Sequence, residues 1–267
     1  MINGSTMRRM LNEMWNRVMG RVVLGGVVAV TLAVGQRATA DWPQYSGPAG
    51  DRTVDGPLPA KKLAGDGADM LWRAATTNGF SSFAISDGIA CTLMTRDGKE
   101  TCVAFDAVSG REQWARQLSE AKYDGGGNSG ARGNRGGDGP RSTPTFSEGR
   151  VYVFDSQLKL YCFDAKTGET HWTHDVIAKN NGKNITWQNA ASPVVHGDMV
   201  FIAGGGEGEA LIGLNKTTGR QVWATQDDTI THATPTLATI HGTKQVIYFT
   251  RSGLVSVEPR TGKVLWR

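Results

Sequence analysis

The sequence predicts an all-β fold made of repeated four-stranded antiparallel sheets. One short pattern that ends in tryptophan occurs four times along the chain with unchanged internal spacing. Glycine accounts for 35 of the 267 residues, an abundance typical of short strands joined by tight turns. Beyond the N-terminal region, no segment is apolar with a helical period for long enough to indicate a helix. Repetition on this length scale indicates a fold in which each repeat forms one structural unit.

The repeated pattern has a mechanical explanation. In each copy a polar residue lies eight positions before the tryptophan, and a glycine lies four positions before it. The polar side chain accepts hydrogen bonds from the amides of the following turn, and glycine adopts the positive φ that the turn requires. The pattern therefore predicts a β-hairpin whose second strand ends in tryptophan. The copies are Asp106, Gly110 and Trp114; Asp164, Gly168 and Trp172; Asn215, Gly219 and Trp223; and Glu258, Gly262 and Trp266.

Each tryptophan ends a unit with room for four short strands. The predicted units cover residues 80–118, 142–175, 191–225 and 233–267. Starting from Trp72, successive tryptophans are 42, 58, 51 and 43 residues apart, close to the roughly 40–50 residues of a β-propeller blade. The longest interval contains a glycine-rich insertion at residues 124–139, which we predict to be a mobile loop. The sequence thus predicts a β-propeller over residues 70–267, with about four blades present.

The first 40 residues have the pattern of a secretory signal peptide. Basic residues precede an apolar run at residues 22–34, and the small residues Ala38 and Ala40 then form a cleavage pattern. The apolar run is too short to span a bilayer comfortably, and an uncleaved anchor is the alternative. We therefore predict a periplasmic or secreted protein with no membrane span after signal cleavage.

The basic charge of the chain belongs to this leader. The formal net charge of the whole chain is +4, and residues 1–40 supply it with five basic residues and one acidic residue. The remainder holds equal numbers of basic and acidic residues, 24 of each. No nucleic-acid partner is predicted from this balance.

The segment that follows the leader has a different composition from the blades. Residues 41–69 are rich in proline, glycine and aspartate without apolar alternation, which predicts an extended segment lying over the domain. Residues 70–74 contain Trp72 but lack the preceding turn motif. We predict that they form a lone outer strand, of the kind that completes the last blade of a propeller and closes the ring.

Three cysteines are an odd number for an exported chain. Cys91 and Cys102 flank a predicted hairpin turn, and a symmetric turn makes them diagonal neighbours on one face of the sheet. A disulfide between them would require a register shift or a bulge, because diagonal positions are too far apart. Buried free thiols at Cys91, Cys102 and Cys162 are the prediction, and that disulfide is the alternative.

With this repeat established, the chain resembles the quinoprotein-like family of β-propellers, also called pyrroloquinoline-quinone-like repeats. The resemblance covers residues 41–267 and includes the Ser/Thr-Pro pairs before the inner strands and the Asp-Trp-Pro-Gln start typical of bacterial exported members. In this family the motif tryptophan docks each blade on its neighbour, which implies a docking role for Trp114, Trp172, Trp223 and Trp266.

Propellers of this family commonly have seven or eight blades, whereas this sequence stops one residue after its fourth motif tryptophan. The resemblance therefore implies a ring of seven or eight blades of which this chain is a fragment. The alternative is a four-bladed ring closed by the Trp72 strand.

The resemblance also bears on catalysis. A quinone-using dehydrogenase of this family implies a tryptophan platform, a disulfide between adjacent cysteines, a Ca²⁺ ion held by Glu and Asn, and an Asp base. No two cysteines of this sequence are adjacent, and no Glu-Asn-Asp set maps onto matching positions. We accordingly predict no catalytic residue, no metal ligand and no certain cofactor; pyrroloquinoline quinone (PQQ) with Ca²⁺ belongs to the alternative hypothesis of an alcohol or sugar dehydrogenase.

Polar residues precede each inner strand and predict a binding site. Residues just before the inner strands of a propeller lie at the mouth of its central channel, where Arg141, Asn189 and His232 should converge together with Trp187 and Gln188. The alternative is that these side chains only satisfy the amides at the strand ends. The leading hypothesis is an exported scaffold or binding propeller that holds a protein partner or small molecule at this mouth. The second hypothesis is a periplasmic PQQ-dependent dehydrogenase.

Overall fold

The computed structural model describes residues 41–53, 70–77, 79–123 and 139–267. Contacts divide the chain into two units, residues 1–38 and 39–267, and every described residue belongs to the second. The predicted leader, the later part of the predicted extended segment and almost all of the glycine-rich insertion lie outside the described residues. Within them the fold contains four antiparallel sheets of four strands each, which confirms the predicted all-β class.

The strands follow one another within each sheet in chain order. Blade 1 contains β1 (Ala84–Ser86), β2 (Ile89–Arg96), β3 (Lys99–Asp106) and β4 (Glu112–Glu120). Blade 2 contains β5 (Thr145–Ser147), β6 (Arg150–Phe154), β7 (Lys159–Asp164) and β8 (Thr170–Asp175). Blade 3 contains β9 (Val194–His196), β10 (Met199–Ala203), β11 (Leu211–Asn215) and β12 (Gln221–Thr225). Blade 4 contains β13 (Thr236–Ile240), β14 (Thr243–Thr250), β15 (Gly253–Val257) and β16 (Val264–Trp266).

A helical turn and an unstructured segment differ from the sequence analysis. One short helix, α1 (Val176–Lys179), follows blade 2 and is capped by Asp175, whose side chain accepts a hydrogen bond from the amide of Ala178. The predicted strand at residues 70–74 is wrong, because residues 70–77 carry no strand and make no ladder. Trp72 nevertheless packs on blade 1, where its ring stacks against Phe105 at 5.8 Å.

The inner strands begin later than their Ser/Thr-Pro pairs suggested. Blade 2 was expected to start at Ser142, but its first strand starts at Thr145. Pro144 has no N–H to donate to a ladder, and the amide of Thr143 donates instead to Ser192 Oγ at 2.9 Å. The amide of Ser192 donates in turn to Thr234 Oγ1 at 2.9 Å. These hydroxyl residues therefore link each blade entry to the next.

A shift of strand register recurs in the outer hairpin of every blade. Pairing between the third and fourth strands shifts register directly after the residue opposite the motif tryptophan. A bulge of this kind strengthens the local twist and re-aims side chains. The residue opposite each tryptophan is small or medium-sized: Ala104, Cys162, Gly213 and Ser256.

The hydrophobic core lies between neighbouring sheets. One cluster joins blade 1 to blade 2 through Leu93, Trp114 and Val153. A second joins blades 2 and 3, and a third joins blades 3 and 4 around Phe201 and Tyr248. The burial of apolar area between faces is the main stabilising term for such a stack. The inner strands β1, β5 and β9 lie in contact with one another along the chain order.

The cysteines adopt the predicted register. Cys91 is opposite Ala104, and Cys102 is opposite Leu93, so the two sulfur-bearing residues are diagonal neighbours. Cys91, Cys102 and Cys162 are all buried and free, as predicted. Burial raises the pKa of Cys162 to about 11, which keeps its thiol protonated and unreactive at neutral pH.

Candidate functional site

The loops before β5, β9 and β13 carry the predicted channel-mouth cluster, defined as Arg141, Trp187, Gln188, Asn189 and His232. Arg141 lies just before blade 2, the middle three lie before blade 3, and His232 lies before blade 4. Because each loop leads into an inner strand, the three loops lie beside one another at one end of these strands.

Trp187 is the centre of the cluster. A guanidinium nitrogen of Arg141 donates to the main-chain carbonyl of Trp187 at 2.9 Å. The imidazole of His232 lies beside the indole, with ring centroids 6.1 Å apart and planes tilted by 33°. Trp187 is 37% exposed, although Arg141 holds its backbone and His232 lies beside its ring.

The backbone at this point is in an unusual conformation. Trp187 and Gln188 both have positive φ, 68° and 57°, although neither is glycine. Two adjacent residues in the left-handed region cost free energy, and the surrounding structure has to hold them there. The amide of Gln188 donates to Ile185 O at 2.9 Å, which closes the turn and presents the indole outward.

The indole borders an open groove of about 460 Å³. His232 Nε2 lies 3.1 Å from Thr186 O, so the imidazole bridges the two loops that form the groove walls. The groove is lined by residues 184–187, residues 229–232 and Arg251. An aromatic face, an imidazole and a guanidinium in one concavity are able to bind an aromatic or polar surface.

Gln188 and Asn189 are buried, with only 4% and 1% of each residue exposed. Asn189 Nδ2 donates to the carbonyls of Asp155 at 3.2 Å and Ala191 at 3.1 Å, and its Oδ1 accepts from the Ala191 amide. The structure therefore brings Arg141, Trp187 and His232 together and uses Asn189 to satisfy strand-end main chain. The ligand-binding role of the cluster stays a prediction.

A pair of buried carboxylates behind the cluster was not found from the sequence. Glu100 in β3 and Asp155 in the β6–β7 turn are both fully buried, 0% exposed. Tyr123 donates its hydroxyl to Glu100 Oε1, and the Ser156 amide donates to Glu100 Oε2 at 3.0 Å. Asp155 Oδ1 accepts from the amides of Gln157 and Lys159. The burial comes from blade 2 packing on blade 1, which no local sequence signal encodes.

Electrostatics at the pair follow from its burial. Loss of solvation, together with the nearby negative charge of Asp155, raises the pKa of Glu100 to about 7 against the opposing hydrogen bonds from Ser156 and Tyr123. Burial likewise raises the pKa of Asp155 above its ordinary value. The two carboxylates therefore share an environment that disfavours double ionisation.

The carboxylate pair is connected to the channel-mouth cluster. The carbonyl of Ser156 accepts hydrogen bonds from Asn184 Nδ2 at 2.7 Å and from the Asn189 amide at 3.2 Å. These asparagines flank Trp187 on either side. Arg141 lies over the ring of Tyr123 at 5.3 Å, so a second set of contacts also runs from Glu100 to Trp187.

Four tryptophans make the same contact with the unit that follows them. Each donates its indole N–H to a main-chain carbonyl in the next Asp/Asn/Glu turn, at 2.9–3.1 Å. The pairs are Trp72 with Ala107, Trp114 with Ala165, Trp172 with Lys216 and Trp223 with Pro259. Trp266 donates instead to Gln245 Oε1 of its own sheet at 2.8 Å. The docking role of these residues stays a prediction, tested below.

The repeated four-stranded sheets and their tryptophan hairpins define a quinoprotein-like β-propeller. The family model described as "Outer membrane protein assembly factor BamB" (PQQ_2) matches residues 98–267, more than half of the sequence, and the chain belongs to this family. Within the part of the chain that the structure describes, no helix has the length and apolar character needed to cross a bilayer.

Relatives with known activities match only part of the chain. A quinoprotein ethanol dehydrogenase of Pseudomonas aeruginosa is 28% identical over 143 residues, which are 48% of this chain and 22% of that protein. One of Pseudomonas putida is 27% identical over the same length and the same shares. The chain thus spans about a fifth of the length of the curated relatives it matches.

Solved structures show the fold. The quinohemoprotein alcohol dehydrogenase from Comamonas testosteroni matches 85% of this chain and 41% of its own, with 18% identity and a TM-score of 0.61. The quinohemoprotein alcohol dehydrogenase ADHIIG from Pseudomonas putida HK5 matches 85% of this chain and 40% of its own, with 16% identity and a TM-score of 0.59.

Proposed function

We propose that this chain is an exported binding propeller whose channel-mouth cluster holds a protein partner or a small molecule. The observation that carries the proposal is the exposed indole of Trp187, fixed at its backbone by Arg141 and flanked by His232. Large aromatic side chains held rigidly at a concave surface are the residues that dominate binding energy in interfaces. Holding Trp187 in a left-handed conformation costs free energy, and residues strained in this way are concentrated at functional sites.

Export is supported by two independent features. The leader pattern of residues 1–40 is that of a secretory signal. The description of the family that the chain belongs to names an outer membrane protein assembly factor, which supports export. A scaffold role is compatible with a fold that hosts both enzymes and binding proteins.

Site-specific photo-crosslinking tests the proposal. A photoreactive benzoylphenylalanine replaces Trp187 in the full chain, expressed with its leader in a Gram-negative host, and native mass spectrometry of the unmodified protein detects bound small molecules. Phe249, which is 55% exposed on blade 4, is the control position. We expect a covalent adduct at position 187 and none at 249, or else a bound mass. If neither an adduct nor a bound mass is detected, or if both positions give equal adducts, the cluster is not a binding site.

A matched pair of histidine variants identifies the residues responsible. His232→Ala removes the imidazole beside Trp187, whereas His241→Ala removes an exposed imidazole in the β13–β14 turn. We expect His232→Ala to reduce the adduct or bound mass by about tenfold, the effect of about 1.4 kcal/mol. His241→Ala should leave it unchanged, and both variants should melt at the temperature of the parent protein. Equal effects would remove His232 from the site.

The second candidate function is that of a quinoprotein dehydrogenase, which the 28% identity to a quinoprotein ethanol dehydrogenase favours. The two buried acids that the structure brings together do not fit a metal ion beside PQQ. Among them no three His, Cys, Asp or Glu side chains are grouped to hold a metal. The buried acids, Glu100 and Asp155, are enclosed between blades with their oxygens already hydrogen-bonded.

Reconstitution decides between the two functions. The full chain is incubated with PQQ and Ca²⁺, and the absorbance of bound quinone and the reduction of a dye by ethanol are recorded. Under the binding proposal we expect neither signal at micromolar quinone. A bound chromophore together with ethanol-dependent dye reduction would support the dehydrogenase instead.

A further inference from the structure

The segment after the leader pairs with the inner edges of two blades. The amide of Trp42 donates to Ile85 O at 2.8 Å, and the amide of Ile85 donates to Trp42 O at 2.9 Å. The next residue, Pro43, accepts a hydrogen bond from the Phe146 amide at 2.7 Å. One extended segment therefore binds blade 1 with one residue and blade 2 with the following residue.

Ile85 and Phe146 occupy the same register position. Each is the second residue before the two-residue turn that ends its inner strand, opposite Ala90 and Val151 respectively. In an antiparallel ladder, alternate residues direct both main-chain groups away from the paired strand. This position therefore presents an N–H and a C=O to the channel side of the sheet, where residues 42 and 43 use them.

Blades 3 and 4 present the same groups without such a segment. Val195 in β9 lies opposite Val200, at the position equivalent to Ile85. In β13, Leu237 lies opposite Val246 and has the same orientation by alternation. Within the described residues, the structure gives neither Val195 nor Leu237 a main-chain partner on this open side. An unpaired strand edge is a template for pairing with another extended chain.

A pocket of about 420 Å³ lies along these two edges. Residues 44–46 and 48–50, which continue the paired segment, also line it, so the pocket begins where the strand pairing by residues 42 and 43 ends. Its lining includes His196 and the exposed Lys244 and includes no acidic side chain. This volume accommodates a few residues of an extended peptide, and the lining favours a negative charge on that peptide.

We propose that the open inner edges of β9 and β13 bind an extended acidic peptide by strand addition. Its main chain would pair with the N–H and C=O groups of Val195 and Leu237, as residues 42 and 43 pair with Ile85 and Phe146. Its carboxylate would lie near Lys244 and His196. Main-chain hydrogen bonds supply the affinity in this mode of recognition, and side-chain pockets supply the specificity.

A blocked fluorescent pentapeptide, Thr-Asp-Thr-Asp-Thr, tests the main-chain part with the full chain by fluorescence anisotropy. The control peptide has the same sequence with its central amides N-methylated, which removes hydrogen-bond donors and retains side chains and charge. We expect saturable binding of the first peptide and a loss of at least about tenfold for the second. Equal binding of both peptides, or no binding at millimolar concentration, would overturn the proposal.

Protein variants test the location. Val195→Pro removes the open-edge N–H without removing a ladder bond, because proline is tolerated on such an edge. Lys244→Ala removes the charge, and Lys263→Ala, an exposed lysine outside the pocket, is its matched control. We expect Val195→Pro and Lys244→Ala each to weaken binding by about tenfold at an unchanged melting temperature, with Lys263→Ala neutral. If Lys263→Ala weakens binding as much as Lys244→Ala, the attraction is unspecific and the proposed site is wrong.

Discussion

At the scale of single residues, the turn glycine of each repeat meets two separate requirements. Gly168 has φ of +67°, and a Cβ added to it would lie 2.6 Å from Cδ2 of Trp114. The motif spacing predicted the positive φ from the turn type. The contact with the indole was not predictable from a single copy, because the ring comes from the preceding blade. Gly110, Gly219 and Gly262 have the same relation to Trp72, Trp172 and Trp223.

Alanine substitutions separate the two requirements. Gly149 is the matched control, because its φ is +72° but no atom lies within 4 Å of an added Cβ. Both Gly149→Ala and Gly168→Ala carry the cost of a left-handed alanine, about 1–2 kcal/mol. We expect Gly168→Ala to lower the free energy of unfolding by about 1–3 kcal/mol more, because its methyl group displaces the Trp114 ring. Urea denaturation measures both; equal losses would mean that the ring contact contributes nothing to stability.

At the scale of elements, the joint between blades 1 and 2 is built from buried acids. Glu100 of β3 accepts from the Ser156 amide of blade 2, and Asp155 of blade 2 accepts from the Ser119 amide of β4. Each blade thus supplies the carboxylate for the other blade's main chain. Such charges are costly to bury, and removing one partner leaves the remaining groups unsatisfied.

The joint predicts how stability depends on pH. The folded-state pKa of Glu100 is about 7, above its ordinary value of 4.5. Between these values the folded protein binds more protons than the unfolded chain, so this group's stabilisation is complete below pH 4.5 and is lost as pH rises through 7. The lost stability amounts to roughly 3 kcal/mol at pH 8. Asp155 acts in the same direction, whereas the pKa of His174, lowered by burial, acts in the opposite direction.

Glu100→Gln tests this contribution. The amide oxygen still accepts from Ser156, but the side chain no longer ionises. We expect the variant to be more stable than the parent at pH 8 and nearly equal to it at pH 4.5, in urea denaturation at a series of pH values. Because the histidines are present in both proteins, the difference between the two curves reports Glu100 together with its interaction with Asp155. A difference that is constant with pH would contradict the assignment.

Strands were more predictable than the joints between them. The alternation of apolar residues and the Asp-x-x-x-Gly turns are local signals, so the hairpin of β7 and β8 lies where the sequence indicated. Residues 70–74 are mostly apolar but form no strand, since a strand also needs a partner and none of the described residues pairs with them. Glu100 lies beside a turn, and its burial has no local signal because it depends on blade 2.

At the scale of the whole molecule, each sheet is linked to the next through the tryptophan and the Asp/Asn/Glu turn. Loops before successive inner strands lie beside one another, so their proximity was predictable from the repeat, and Arg141 and His232 both contact the 186–187 segment. The orientation of Asn189 was not predictable, since it depends on which strand-end carbonyls lack partners. In a stack of this kind, stability is approximately the sum of repeat and nearest-neighbour terms.

This arrangement predicts unequal effects for the same substitution along the chain. Trp223 is 7% exposed and bonds to Pro259 O of blade 4, whereas Trp266 is half-buried and bonds to Gln245 within its own sheet. We expect Trp223→Ala to lower the free energy of unfolding by about 3–5 kcal/mol, since it removes a buried inter-sheet contact. Trp266→Ala should cost only about 1–2 kcal/mol.

Calorimetry and urea denaturation of the full chain measure the difference. If Trp223→Ala does not fold, Trp223→Phe replaces it, because this variant keeps an aromatic ring at the position. In that variant the indole donor to Pro259 is lost while most of the apolar contact remains, so its cost should be smaller, about 1–2 kcal/mol. Similar losses for Trp223→Ala and Trp266→Ala would contradict inter-sheet docking, because only Trp223 of the two contacts a following sheet among the described residues.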